Sequence, residues 1–299
     1  MSDTTGSGVV LASFGRGVLV QADGVAAESA PLRCSLQGRR QRIVCGDRVT
    51  FVHRAANDGA SVASIAPRRN LIERIDARGR PEPVAANIDR LAIVVAPEPA
   101  VDWFLVDRYW AGATLKNVPT LLIVNKRDLG WDGLENEMDG YRRLGLALSG
   151  VAAASGEGID ELRVALGTGV TLLVGQSGVG KSSLVNALTP AAAALTAELT
   201  RDAEGRHTTT TARLYAMPDG GALMDAPGVR DFAPPASLVR AAERGFVEIH
   251  ARGVECKFND CRHLEEPGCA VRAGLQDGGI AARRYESYRR LLRLYEKLA

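Results

Sequence analysis

The feature that most constrains this chain is a glycine-rich stretch that lies between two apolar segments. It consists of Gly175, Gln176, Ser177, Gly178, Val179, Gly180, Lys181, Ser182 and Ser183. The apolar run at 170–174 predicts a buried strand, and residues 184–188 predict the beginning of a helix. The spacing fits G-x-x-x-x-G-K-[ST], a loop whose backbone N–H groups surround phosphates at a helix N-terminus. The sequence therefore predicts an α/β domain that binds a nucleoside triphosphate.

Charged and hydroxyl-bearing residues in and after this loop are predicted to contact the phosphates and magnesium. The Lys181 ammonium is expected to reach the β- and γ-phosphates and to act in catalysis, and the Ser182 hydroxyl to bind Mg²⁺. A D-x-x-G motif follows at 225–228. There Asp225 is predicted to hold Mg²⁺ through water, and the Gly228 N–H to meet the γ-phosphate.

A second motif indicates which base the site would bind. The apolar segment 121–124 ends in an N-K-x-D sequence that comprises Asn125, Lys126, Arg127 and Asp128. The Asp128 carboxylate can accept hydrogen bonds from the guanine N1–H and 2-amino group, a pair that adenine does not offer. Asn125 is expected to brace the loop, and the stem of Lys126 to lie over the base. This motif predicts a guanine nucleotide.

A weaker motif at 151–162 resembles another guanine-contacting loop of GTPases, which usually reads S-A-x-x-G-x-G-[IL]-x-x-L and is called the third loop here. Ala152 and Ala153 stand in place of Ser-Ala, so the hydroxyl that braces this loop is missing. Because the base contact comes from a backbone N–H, here assigned to Ala153, we expect weakened rather than abolished binding.

The residues that would activate water are predicted in the Thr-rich segment 205–211. A Thr in such a mobile loop binds Mg²⁺ through its hydroxyl and the γ-phosphate through its N–H. We expect Thr209 in this role, with Thr210 as the alternative. Many GTPases carry a water-positioning Gln just after D-x-x-G, but Val229 occupies that position here. His207 is therefore the predicted catalytic residue that orients the attacking water.

The order of the motifs differs from that of ordinary GTPases, which begin with the phosphate-binding loop and end with N-K-x-D. Here N-K-x-D comes first and D-x-x-G last. This order predicts a circular permutation, which joins the old chain ends and opens the chain elsewhere while leaving the sheet intact. Since the chain passes from D-x-x-G straight into the C-terminal region, we hypothesise that hydrolysis is transmitted to that region.

The N-terminal region is predicted to be a small barrel. Residues 8–67 contain six short runs separated mainly by glycines: 9–12, 17–20, 32–36, 43–45, 48–52 and 60–65. The five-stranded oligonucleotide-binding barrel (OB-fold) fits best in size, and an SH3-like barrel is the alternative. Five arginines would give this barrel a basic face: Arg33, Arg39, Arg40, Arg42 and Arg48.

The C-terminal region is predicted to be helical and to hold zinc. Helices are expected at 236–254 and 280–298, the latter with its arginines, Arg283 and Arg284 among them, mostly outside. Between them lies the set Cys256, Cys261, His263 and Cys269. Three thiols and one imidazole suit a tetrahedral zinc site whose four positions are all filled by protein, which is typical of a structural ion.

Composition supports a globular chain of several domains. The 299 residues are 46% hydrophobic and 24% charged, which argues against wholesale disorder. The sequence has no apolar span of 18 residues and no signal peptide, so we expect a cytoplasmic monomer that does not bind membranes. Arginine and lysine exceed acidic residues in 1–70 and 270–299. A phosphate-backbone partner would explain this excess, and so would ordinary solvated basic faces.

Taken together, the segments N-K-R-D, G-Q-S-G-V-G-K-S-S, G-R-H-T-T-T, D-A-P-G-V-R and C-K-F-N-D-C-R-H-L-E-E-P-G-C-A-V resemble the bacterial small-subunit-dependent GTPase family RsgA. The resemblance implies an OB-fold barrel at 1–68, a circularly permuted GTPase domain at 69–233 and a zinc-binding domain at 234–299. It also implies GTP hydrolysis stimulated by the small ribosomal subunit and its rRNA, late in the maturation of that subunit, with His207 catalytic. The alternative is an RNA-binding assembly factor that uses GTP only as a conformational lock.

Overall fold

The computed structural model describes residues 4–14, 17–26, 29–36, 42–54, 59–75, 80–189, 212–226 and 236–296. The strands are β1 Thr4–Phe14, β2 Gly17–Ala22, β3 Leu32–Leu36, β4 Arg48–Arg54, β5 Gly59–Ile65, β6 Leu71–Ile75, β7 Pro81–Ala86, β8 Arg90–Val95, β9 Thr120–Val124, β10 Ala147–Gly150, β11 Val170–Gly175, β12 Arg213–Ala216 and β13 Ala222–Asp225. The α-helices are α1 Trp103–Leu115, α2 Glu135–Arg143, α3 Ile159–Leu166, α4 Lys181–Leu188, α5 Val247–Gly253, α6 Ala270–Gln276 and α7 Ala282–Glu296. Within the described segments, 3₁₀ helices span Arg127–Leu129 and Ala236–Gly245.

The first five strands close into a barrel. Strand β1 pairs with β2 and β4, β2 with β3, and β5 with β3 and β4, so the ring has no free edge. Its interior is filled by Val10, Val18, Val20, Cys34, Ile43, Val49, Phe51, Ala60 and Val62. The prediction of an N-terminal five-stranded barrel is confirmed.

Strand β1 also joins the barrel to the central sheet. The register of β1 against β2 shifts between Val10 and Ala12, and beyond this irregularity Ala12 pairs with Arg213 of β12. A shift of this kind bends a strand and redirects its hydrogen bonds. The barrel and the central domain therefore share one 11-stranded sheet.

The central part of that sheet has the order β10-β9-β8-β11-β13-β12, and only β12 runs antiparallel to its neighbour. Because β8, β9 and β11 are buried on both faces, these three strands are nearly continuous apolar runs. One face packs against α1 and α2, and the other against α3 and α4. The predicted circularly permuted α/β domain is confirmed, and its motif-bearing strands end at one edge of the sheet.

The C-terminal helices pack on α1. Their core contains Phe246, Ile249, Val271 and Leu291, together with Ala111 of α1. The single helix predicted at 236–254 is wrong, because a 3₁₀ helix ends at Gly245 and α5 begins at Val247. Phe246 is extended between them, and a side chain on Gly245 would collide with Ala111, so the break lets the chain approach α1 closely.

Two details of the N-terminal half differ from the prediction. The described residues 43–45 form no strand, and Cys45 makes an isolated β-bridge to Ala85. A hairpin of β6 and β7 follows the barrel and forms a separate two-stranded sheet. Its prolines, Pro81 and Pro83, lie on this small sheet, where strands tolerate a missing N–H donor. Of the helices in the described segments, none combines the length and apolarity needed to cross a membrane.

The arginines of α7 lie mostly outside, as expected, with Arg284 as a buried exception. Arg284 is only 2% exposed. Its guanidinium donates to Asp107 Oδ1 of α1 at 2.8 Å and to both carboxylate oxygens of Glu248 in α5. Burial of this charge is possible because two carboxylates from other helices pair with it.

Candidate functional site

The phosphate-binding loop joins β11 to α4 through three glycines that have positive φ angles. The φ angles of Gly175, Gly178 and Gly180 are 145°, 83° and 90°. A Cβ on Gly175 would overlap the Val94 carbonyl of β8, and one on Gly180 would overlap the Asn125 amide. Glycine is therefore needed here because the backbone approaches two neighbouring segments closely.

Some of the other residues of the loop are buried and support its backbone, and others are exposed. Val179 is fully buried beneath the loop. Lys181 Nζ donates to the carbonyls of Gly175 at 2.9 Å and Gln176 at 2.6 Å, which holds its ammonium over the loop backbone. Four residues face solvent: Ser177, Gly178, Ser182 and Ser183. The loop thus presents hydroxyls and N–H groups at the start of α4, where the helix dipole favours an anion.

Asn125 brings the guanine motif, the phosphate-binding loop and the third loop together. Asn125 is only 2% exposed. Its Nδ2 donates to the Val179 carbonyl at 2.9 Å, and its Oδ1 accepts from the Ala153 N–H at 3.0 Å. Both ends of one amide are therefore used to join segments separated by 54 and 28 residues.

The rest of the guanine motif lies at the surface beyond β9. Lys126 has a φ of 59°, and its Nζ donates to the Glu98 carbonyl at 2.8 Å. The Arg127 guanidinium lies 5.2 Å from the centre of the Trp131 ring and 3.4 Å from Glu157. Asp128 is exposed in the following 3₁₀ turn. A carboxylate in this position is accessible to a base, and its contact with guanine stays a prediction.

The third loop is braced without the expected hydroxyl. Ala152 is fully buried and bridges to Glu157, to which its N–H donates at 2.9 Å. The next N–H, that of Ala153, donates to Asn125 as described above. The loop is therefore held against the guanine motif by backbone contacts, and the contact of Ala153 with a base stays a prediction.

Asp225 ends β13 beside the phosphate-binding loop. Burial raises the pKa of its carboxyl above the ordinary value, although the positive charges of Lys181 and Arg213 oppose the shift. Arg213 is its cross-strand partner on β12. Among the described residues its buried Oδ1 has no hydrogen-bond partner. A buried, unpartnered carboxylate oxygen fits the predicted ligand of a hydrated Mg²⁺, which prefers oxygen ligands.

The four C-terminal zinc candidates converge. One ligand atom from each of Cys256, Cys261, His263 and Cys269 lies within 4.8 Å of all the others. Cys256 Sγ lies 3.9 Å from Cys269 Sγ, and His263 Nδ1 lies 3.5 and 3.6 Å from these two sulfurs. A tetrahedral zinc with Zn–S of about 2.3 Å and Zn–N of about 2.0–2.1 Å requires about 3.8 Å between sulfurs and about 3.5 Å between sulfur and nitrogen. The donor set therefore fits zinc in a closed site.

The surroundings of these donors also suit a metal. Glu243 Oε2 lies 2.9 Å from His263 Nε2, so it fixes the ring with Nδ1 directed at the sulfurs. The Ala270 N–H donates to Cys256 Sγ at 3.3 Å, and the Arg272 N–H to Cys269 Sγ at 3.5 Å. Such donors stabilise thiolates.

Several predicted residues lie outside the described residues. These are the catalytic candidate His207, the magnesium candidates Thr209 and Thr210, the phosphate contact Gly228 and its neighbour Val229. Their roles stay predictions.

Two contributions to these sites were missed by the sequence reasoning. Glu243 lies 20 residues before His263, so no short spacing links it to the Cys/His set. The sequence predicts Gln176 as a nucleotide-binding residue of the loop, and the structure adds a side-chain contact with the backbone that begins α1. In the sequence, this contact is indicated only by the polar side chain of Gln176 at a variable position of the phosphate-binding motif.

Comparison with known proteins agrees with this geometry. The profile of the RsgA GTPase family matches residues 65–234. The small ribosomal subunit biogenesis GTPase RsgA of Azotobacter vinelandii is 43% identical over 292 residues, which are 96% of this chain and 84% of the relative. The protein of the same description from Pseudomonas aeruginosa has the same identity and coverage.

Two solved structures share the fold. The crystal structure of YjeQ from Thermotoga maritima has a TM-score of 0.72 and 27% identity, with 99% of each chain covered. YloQ, described as a circularly permuted GTPase, also has a TM-score of 0.72, with 22% identity and coverage of 99% of this chain and 96% of YloQ. From the family profile and from relatives that align along almost the entire chain, we conclude that this protein belongs to the RsgA GTPase family.

Proposed function

We propose that this protein hydrolyses GTP to GDP and phosphate and acts in the biogenesis of the small ribosomal subunit. The observation that carries the proposal is the Asn125 amide, which joins the guanine motif to the phosphate-binding loop and the third loop. A fixed distance between a base-reading carboxylate and a phosphate-binding loop is what discrimination between nucleotides requires. Family membership supports the same activity.

The predicted site residues would divide the roles in catalysis and binding. Asp128 would accept two hydrogen bonds from guanine, and Lys181 would offset charge that develops on the phosphates. Ser182 and Asp225 would hold Mg²⁺, together with Thr209. Bound Mg²⁺ would supply further neutralisation of phosphate charge. His207 would orient the attacking water, because Val229 cannot.

The C-terminal donors would have a structural role. Cys256, Cys261, His263 and Cys269 would fill all four positions of a zinc ion and leave none for a substrate. Bound zinc would fix the loop between α5 and α6. We propose that this domain, with the basic regions of the barrel, contacts the small subunit and its rRNA, and that the contact stimulates hydrolysis.

The decisive experiment is GTP hydrolysis by the purified protein, with and without small ribosomal subunits. We expect strong stimulation by the subunits, and we expect His207→Ala to abolish it while GTP still binds. His53→Ala is the matched control, because His53 lies on β4 of the barrel, outside the predicted nucleotide-binding and zinc motifs. Its stimulation should equal that of the unmodified protein.

The alternative makes the opposite prediction. An assembly factor that uses GTP only as a lock would bind GTP and the subunit but show negligible turnover in either condition. Hydrolysis unaffected by His207→Ala would remove that residue from the proposed mechanism.

A further inference from the structure

The side chain of Gln176 ties the phosphate-binding loop to the beginning of α1. Its Oε1 accepts from the Asp102 N–H at 2.8 Å, and its Nε2 donates to the Ala100 carbonyl at 3.1 Å. The carbonyl of the same residue accepts from Lys181 Nζ at 2.6 Å. One residue therefore connects the phosphate-binding lysine with the segment that starts the helix.

Helix α1 can pass a displacement from one neighbouring element to another. Asp102 caps it, since its Oδ1 accepts from the Leu105 N–H at 3.1 Å. The 13-residue helix packs between the central sheet and the C-terminal helices. Close-packed helices move as rigid bodies rather than deforming.

Charged side chains bind α1 to α7. Asp107 is fully buried and accepts from Tyr141, Arg283 and Arg284. Arg283 also binds Glu137 at 2.8 Å. Its guanidinium lies 5.7 Å from the ring of Trp103, the first residue of α1. Arg283 thus holds the same end of the helix that Gln176 contacts.

The geometry points to Gln176 as a positioning residue that couples the phosphate-binding loop to the C-terminal domain through α1. This inference rests on the proposed function, because it concerns how a guanine nucleotide is bound. A shift of α7 relative to the sheet would move α1, then Gln176, and with it the carbonyl that holds Lys181. Because coupling is reciprocal, a partner that contacts the C-terminal domain would alter nucleotide affinity, and nucleotide would alter partner affinity.

A double-mutant cycle on GDP affinity tests this coupling. Arg283→Met removes the charge but keeps an apolar stem against Trp103, and Asp107 keeps Arg284 and Tyr141 as partners. We expect this variant to bind fluorescent GDP about fivefold more weakly or worse, the lower end of typical coupling. In a Gln176→Ala background the same replacement should change the dissociation constant less than about twofold, because the connection is already cut.

Two controls accompany the cycle. Arg289→Met removes an arginine of the same helix that contacts Glu286 and Tyr285 on its own helix, and it should leave GDP affinity unchanged. Arg283→Lys retains a charge, and it should recover part of the affinity lost in Arg283→Met. Thermal unfolding of each variant separates a loss of folded protein from a loss of affinity.

The outcomes are distinguishable. Effects of Arg283→Met that are equal in both backgrounds would overturn the coupling, while GDP binding by the unmodified protein would leave the proposed function standing. No binding of GDP by the unmodified protein would overturn the proposed function and this inference with it.

Discussion

The buried arginine of α7 gives the most specific prediction about stability. The Arg284 guanidinium lies between two carboxylates, those of Asp107 on α1 and Glu248 on α5. The Asp107 side chain is 0% exposed and that of Glu248 8%. The same guanidinium lies 4.8 Å from the Trp110 ring and 4.7 Å from the Phe246 ring. Replacement of Arg284 by Met fills a similar space but leaves Glu248 without its cation.

The magnitude follows from that unpaired carboxylate. Removal of one member of a buried ion pair typically costs about 3–5 kcal/mol. Asp107 keeps two partners, Arg283 and Tyr141, so the loss falls mainly on Glu248. We therefore expect Arg284→Met to lower the free energy of unfolding by about 3 kcal/mol. In the double variant with Glu248→Leu the unpaired charge is gone, so part of this loss should be recovered.

Urea unfolding followed by tryptophan fluorescence measures the effect, since Trp110 lies against the substituted side chain. Arg289→Met is the control, because its half-exposed pair with Glu286 should contribute less than about 1 kcal/mol. If Arg284→Met lowers the free energy of unfolding no more than Arg289→Met does, the unpaired carboxylate is not the cause. A double variant less stable than Arg284→Met alone would have the same consequence.

Three further predictions concern the metal, the base and pH. Purified protein should contain one zinc per chain by atomic emission, and Cys261→Ser should lower that content; an undiminished content would remove Cys261 from the ligand set. Asp128→Asn should weaken GDP binding by roughly 100-fold and favour xanthosine diphosphate, whose 2-oxo group can accept from an amide; an unchanged base preference in competition assays would contradict the role of Asp128. Burial raises the pKa of Asp89, but hydrogen bonds from Arg69 and Val170 outweigh it and hold that pKa below its ordinary value of 3.8. The ionised Asp89 therefore contributes its full stabilisation above pH 3.8 and loses it as pH falls through the folded pKa. We expect Asp89→Asn to reduce the dependence of the free energy of unfolding on pH below about pH 4. An equal pH dependence in the variant and the unmodified protein would exclude this contribution of Asp89.

The sequence predicts those parts of the site whose chemistry fixes residue types at short spacing. The loop at 175–183 needs glycine where the backbone approaches Asn125 and Val94, so the motif reports the geometry directly. The Cys/His set is equally local, because all four donors lie within 14 residues. The central sheet could be predicted because apolar segments typical of buried strands come directly before these motifs.

The contacts between helices could not be predicted in the same way. Arg284 and Asp107 are 177 residues apart, and nothing in the sequence near either one identifies the other. A charged helix face is ordinarily solvated, so the sequence predicts arginines mostly outside on α7 and does not single out Arg284 as buried. The hairpin of β6 and β7 was missed because its prolines usually interrupt strands.

Two proposed routes connect the nucleotide site to the C-terminal domain, and variants can test each route independently. The permutation provides a covalent route, in which the chain after Gly228 leads directly into that domain. The contacts of Gln176, α1 and Asp107 provide a second route that does not pass through 227–235. Replacement of the residues after Gly228 by a flexible linker cuts only the first route, and Gln176→Ala cuts only the second. If hydrolysis controls release of the small subunit through the covalent route, the linker should abolish that control while GTP still binds. Release that persists with the linker but is lost with Gln176→Ala would assign the transmission to α1.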